Sequence, residues 1–125
     1  MLWALTAPAA EVAGVVALAP VADLARAHDD RLDGDAVAAL MGGSPSEHPE
    51  RYAAADPAAL LRRASPAPPI TVLHGTDDRQ VPVAHSRDLP GVSYVELPGV
   101  DHFALIDPLS AAWRRVVSAL RDAAG

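Results

Sequence analysis

The segment from Pro69 to Pro82, PITVLHGTDDRQVP, is the strongest constraint on how this chain can fold. Pro68 and Pro69 carry no backbone donor and stop any helix that arrives before them. Ile70 to Leu73 is then a short β-rich apolar run, and His74-Gly75 ends it by opening into an acidic loop. That pattern predicts a buried strand with carboxylates at its carboxyl end. In an open parallel sheet ligands bind beyond that edge, which places Asp77 and Asp78 where chemistry is usually done. A second strand is predicted over Val92 to Leu97 (VSYVEL), and the turn Pro98-Gly99-Val100-Asp101 after it presents His102. Two consecutive strands thus end in an acid and then an imidazole.

A third run, Ala13 to Ala19 (AGVVALA), is apolar throughout and bounded by Glu11 and Pro20. Continuous apolarity predicts a strand covered on both faces, the first of three parallel strands. Between the strands, Asp35 can cap a short helix through Met41 that Gly42 and Gly43 end, and Asp56-Pro57 starts another through Arg63. Residues 44–57 are rich in Pro, Ser and charge and read as an irregular excursion without a domain boundary. The nine residues VAHSRDLPG leave room for one helical turn before the last strand. Met1 to Ala7 predicts a short helix stopped by Pro8. Asp107-Pro108 predicts the start of a final helix, with Leu109, Ala112, Trp113, Val116, Val117 and Leu120 on its apolar face.

The patterns His74-Gly75-x-x-Asp78-x-x-Val81-Pro82 and Pro98-Gly99-x-x-His102-Phe103 resemble those of the α/β-hydrolases, in their esterase, kynurenine formamidase-like and prolyl-peptidase-like branch. In that family the first pattern carries the acid of a catalytic triad and the second its histidine, in the order acid before histidine. The resemblance therefore implies Asp78 as acid and His102 as base, with Asp77 at a variable place. It covers roughly residues 12 to 120 and only the carboxyl-terminal half of such a domain. The family's nucleophile lies on a G-x-S-x-G elbow, and no such pentapeptide occurs in the 125 residues. The oxyanion-hole donors come from the elbow and an earlier loop, and are missing with it. The stretch from Val21 to Gly43 corresponds to part of the wall or lid over the substrate.

Composition narrows the remaining classes. Half the residues are hydrophobic and 21% are charged, the balance of a single globular domain. A net charge of −6 argues against nucleic acid or an anionic membrane as partner, since both are held by clustered positive charge. The absence of cysteine excludes a disulfide framework and a thiolate zinc site. The apolar first 22 residues lack a basic start and are interrupted by Pro8 and Glu11, so they read as domain interior rather than a signal peptide. No uncharged stretch reaches the ~20 residues of a spanning helix, and a cytoplasmic protein is expected.

Acyl-transfer hydrolysis needs a nucleophile, a base to take its proton, and a carboxylate to hold the imidazole in one tautomer. Asp78 and His102 supply the last two. His74 reads as a packed or turn-serving group, and Gly75 as a residue that lets the backbone turn sharply. Asp77, Arg79 and Asp101 read as local charge and solvation. His28 with Asp29 and Asp30, and His48 with Glu50, fit no metal spacing. Ser44 and Ser46 lack a preceding strand, Ser86 on the crossover reads as solvent-facing, and Ser65, Ser93, Ser110 and Ser118 fit linker, strand and helix positions.

The expectation is an α/β fold: a partial α/β-hydrolase sheet of about three parallel strands flanked by helices, one domain over residues 1–125 that lacks its amino-terminal half. The implied reaction is hydrolysis of a small carboxylic ester or amide through a serine acyl-enzyme, with no cofactor or metal. The chain by itself is expected to be inactive. A non-catalytic remnant or binding module, and a half-enzyme completed by another chain carrying the elbow, are the alternatives. Self-association through the first strand is a further expectation.

Overall fold

The computed structural model describes residues 1–6, 12–63 and 67–125. Pro8, Glu11 and Ser65 lie outside them, so the stop of the first helix, one boundary of the first strand and the linker serine are not part of the description. Three strands, β1 (Val15–Leu18), β2 (Ile70–Gly75) and β3 (Ser93–Leu97), form one sheet in the order β1-β2-β3. Both pairs are parallel, with Leu18 opposite Leu73 and Leu73 opposite Val95.

Strand alternation divides the core between the two faces of the sheet. Ile70 and Val72 point to one side and pack with Ala22, Ala58 and Leu89. Leu73 and Leu97 point to the other and pack with Leu105, Ala112 and Val116. Helix α1 (Leu2–Thr6) contributes Leu5 to the first cluster, and α7 (Trp113–Ala124) covers the second. The first strand departs from expectation: it is shorter than Ala13 to Ala19 and its four residues are half-buried rather than enclosed on both faces. Among the described residues it sits at the edge of the sheet with β2 as its neighbour, which leaves its other edge unpaired there.

The segment between β1 and β2 holds more helix than the sequence announces. Helix α2 (Leu24–Asp29) is capped by Asp23, whose carboxylate accepts from the Arg26 N–H at 3.0 Å. Helix α3 (Ala36–Met41) ends at Gly42 in the left-handed conformation, as its Gly pair predicts. Residues 44–57, whose composition predicts an irregular excursion, contain helix α4 (Pro49–Ala55), with Pro at its start where the missing N–H costs nothing. Its Tyr52 is buried with Ala27, Val37 and Met41 in a separate small core and donates its hydroxyl to Gly43 O at 3.0 Å. That cluster forms only once α2, α3 and α4 meet. Helix α5 (Pro57–Arg62) begins at Asp56, whose buried carboxylate accepts from Ala58 N and from Leu24 N, both at 3.1 Å, and so ties α5 to α2.

Helix α6 (Ala84–Arg87) is the single turn expected on the short crossover. The final helix is later than Asp107-Pro108 suggests. Phe103–Ile106 forms a 3-10 turn, Asp107 accepts from Leu109 N at 2.9 Å, and regular helix starts at Trp113. Leu109 is 95% exposed and therefore no part of the apolar face. Among the described residues no helix is long and apolar enough to cross a membrane.

Candidate active site

The acid loop and the histidine turn are stitched together by two main-chain bonds and one to a side-chain hydroxyl. Thr76 N–H donates to Leu97 O at 3.0 Å, Asp77 N–H to Val100 O at 3.1 Å, and Gly99 N–H to the Thr76 hydroxyl at 2.8 Å. Gly75 makes this approach feasible for a reason other than the one its sequence suggests. It is still in the strand, paired with Leu97, and a Cβ at this position would stand 1.9 Å from Val100 O. The residue is needed for clearance rather than for a sharp turn. Thr76 and Val100 were invisible as site-building residues, since both occupy unconstrained places in their motifs.

On that frame Asp78 and His102 meet. Asp78 Oδ2 accepts from His102 Nδ1 at 2.7 Å, across 24 positions of sequence. Asp78 Oδ1 accepts from the backbone N–H groups of Gln80 and Val81, each at 2.8 Å. The Asp78 side chain is wholly buried and that of His102 is 30% exposed, so the acid is sequestered while the imidazole reaches the surface. Burial raises the Asp78 carboxyl, but the Val81 N–H, the His102 ring and the Gln80 N–H together outweigh it and leave the group below its usual range. Because carboxylate oxygens only accept, Nδ1 carries the proton of this bond and a neutral His102 keeps Nε2 as a free base. The ring packs edge-on against Phe103 with centroids 5.4 Å apart.

His102 lines an open groove of about 350 Å³ with Asp77, Arg79, Gln80, Asp101 and Phe103. Arg79 and Gln80 also line an adjoining cavity of about 710 Å³, walled by Leu24, Leu32, Val37 and Leu40. Asp101 has a structural task beyond local charge: its carboxylate accepts from Phe103 N and Ala104 N, both at 2.9 Å, and starts the 3-10 turn. Asp77 is exposed and accepts from the Thr76 hydroxyl at 3.1 Å. Ser86 is fully buried, contrary to its solvent-facing reading, because α6 turns its hydroxyl inward to His74 Nδ1 at 2.6 Å.

Ser44 and Ser46 bond one another and Ser44 bonds Glu47 in an exposed turn. Ser110 donates to Ala104 O. Among the described residues no serine hydroxyl bonds His102, whose ring has Asp78 as its hydrogen-bond partner. His28 pairs with neighbouring Asp29, and His48 bonds Gly42 O. Among the described residues no three His, Asp or Glu side chains are grouped to hold a metal ion.

A parallel three-stranded sheet flanked by helices is the architecture of one portion of an α/β-hydrolase. The chain belongs to the BD-FAE family of esterase-associated α/β-hydrolase domains, which it matches over residues 4–91, a span that includes Asp78 and ends before His102. Among solved structures it is similar to esterase 2 of the planctomycete Thermogutta terrifontis with propionate bound, at 18% identity and a TM-score of 0.60, covering 87% of this chain and 40% of that one. The same esterase phosphoramylated by tabun superposes with a TM-score of 0.62 at 18% identity, over 87% of this chain and 39% of that one. Puromycin hydrolase is 26% identical over 72% of this chain and 15% of its own, with a TM-score of 0.52. The chain thus spans about two fifths of the esterase and a smaller share of the hydrolase. No curated protein sequence matches it.

Proposed function

We propose that this chain supplies the acid and the histidine of a serine-hydrolase triad acting on small carboxylic esters or amides. Asp78 is the acid and His102 the base. The nucleophilic serine belongs to a G-x-S-x-G segment not found in these 125 residues, on the same polypeptide or on a partner chain. The observation that carries this reading is the 2.7 Å bond from His102 Nδ1 to a buried carboxylate, with the rest of the imidazole open to the groove.

Chemically, His102 Nε2 takes the proton of the serine hydroxyl as its oxygen attacks the substrate carbonyl. The same nitrogen then delivers that proton to the leaving alcohol or amine, and an acyl-enzyme remains for water to cleave with His102 again as base. Asp78 holds the ring in the tautomer that leaves Nε2 free and stabilises the imidazolium that forms. The similar esterase is known with propionate bound, with butyrate bound and phosphonylated by sarin, which favours short acyl esters as substrates and an organophosphonate as the probe.

The decisive experiment treats the 125-residue chain with a serine-reactive phosphonate, alone and joined to an elbow-bearing segment, and locates adducts by mass spectrometry. We expect no adduct on the chain alone, one on the elbow serine of the joined form, and its loss with His102→Ala. An adduct on a serine of the chain alone that His102→Ala abolishes would overturn the external nucleophile. Persistence of the elbow adduct with His102→Ala would overturn the role of His102.

A further inference from the structure

We infer that His74 and Ser86 are positioning residues for Asp78, forming a buried hydrogen-bond clamp that fixes the face the acid turns to His102. The inference rests on the reading of Asp78 as triad acid and adds a second imidazole behind it. His74 and Ser86 are both fully buried. His74 Nε2 lies 2.9 Å from Val81 O and 3.2 Å from Asp78 Oδ2, while its Nδ1 lies 2.6 Å from Ser86 Oγ.

The proton positions follow from what each partner can do. A carbonyl oxygen only accepts, so Nε2 carries a hydrogen and donates it to Val81 O, alongside the carboxylate. In the neutral ring Nδ1 is then an acceptor, and the Ser86 hydroxyl donates to it. Among the described residues that hydroxyl has no other hydrogen-bond partner, so no competing acceptor draws its proton away from Nδ1. The chain of donors runs from Ser86 to His74 to Val81, and the Val81 N–H in turn donates to Asp78 Oδ1. One side chain thereby closes the loop from Asp78 to Val81 at both ends.

Removing the Ser86 proton makes the opposite tautomer available to His74. That tautomer aims a bare lone pair from Nε2 at two acceptors, Val81 O and Asp78 Oδ2, and repels both. Since Asp78 Oδ2 is the atom that holds His102, the disturbance reaches the base without any direct contact between Ser86 and His102.

The test is imidazole and amide nitrogen and proton NMR on the uniformly nitrogen-labelled 125-residue chain. In the wild type we expect His74 as the Nε2–H tautomer and a far-downfield proton on His102 Nδ1. Ser86→Ala should shift or broaden that His102 proton and speed exchange of the Val81 amide about tenfold, as loss of one hydrogen bond would, in a chain that still melts cooperatively. Ser86→Thr, which keeps the hydroxyl, should restore both signals. A folded Ser86→Ala chain with the His102 proton unmoved overturns the clamp and leaves the Asp78–His102 reading intact. A wild-type His74 protonated on Nδ1 overturns it as well, and decides the matter should Ser86→Ala fail to fold. Absence of the downfield His102 proton in the wild type instead removes the Asp78–His102 pairing, and the clamp with it.

Discussion

At the scale of single residues, the proposed function rests most on Asp78. Its carboxylate is wholly buried and fully engaged, two backbone N–H groups on one oxygen and the His102 ring on the other. Asp78→Asn keeps the shape but presents an amide that can turn its NH₂ to His102 and favour the wrong tautomer. In a form of the protein that turns over substrate, we expect the change to lower kcat by about 10⁴, as in the serine-protease triad, and steady-state kinetics on a chromogenic ester would measure it. A loss of only a few-fold would refute the assignment. Acid stability reads out the same group. Because the folded carboxyl lies below its unfolded value, its contribution is present above about pH 4 and disappears as pH falls through the folded value. Urea midpoints of the wild type and Asp78→Asn should therefore differ at neutral pH and converge in acid, and a gap that stays constant down to strongly acid pH would contradict the linkage. That Asp78 and His102 come together was legible in the sequence, because each follows the end of one of two consecutive parallel strands. Ser86 was not legible: a serine between His85 and Arg87 looks solvated, and only the docking of α6 turns it inward.

At the scale of elements, the ends of β2 and β3 decide whether those side chains can meet. Gly75 and Val100 touch so closely that the smallest added side chain would overlap a backbone oxygen, which cannot yield as a flexible side chain would. We expect Gly75→Ala to cost about 2–3 kcal/mol of stability, measured by urea denaturation, and to loosen the His102 turn with it. Wild-type stability in that variant would mean that the turn after β3 is free to move away. Strands were readable because short apolar runs end at Pro and Gly. The helices between β1 and β2 were less so. Helix α4 carries three successive alanines and one buried aromatic, and its buried face exists only against Ala27, Val37 and Met41. The delayed start of α7 has a similar cause. Asp107-Pro108 has the chemistry of a helix start, but the Asp107 carboxylate accepts from Leu109 N in an isolated turn, and it is Ser110 Oγ that accepts from the Trp113 N–H where the helix begins.

At the scale of the whole molecule, three parallel strands leave β1 with β2 as its neighbour and its outer edge unpaired among the described residues. An unpaired apolar edge is a template for another strand. Trp3 and Leu40, 64% and 76% exposed, add apolar surface elsewhere on the chain. We expect the isolated 125-residue chain to self-associate with rising concentration in sedimentation velocity, and strictly monomeric behaviour would show that the edge is protected. By itself the sequence determined the three parallel strands and the α/β class, because these follow from local rules: apolar runs and the helix breakers that bound them. The tertiary structure alone decided that Val100 packs on Gly75, that Ser86 and His74 lie behind Asp78, and that Tyr52 closes a small core of its own. Those are contacts between residues far apart in the chain, and their energies come from clearance, hydrogen-bond direction and burial, which exist only once the elements are packed.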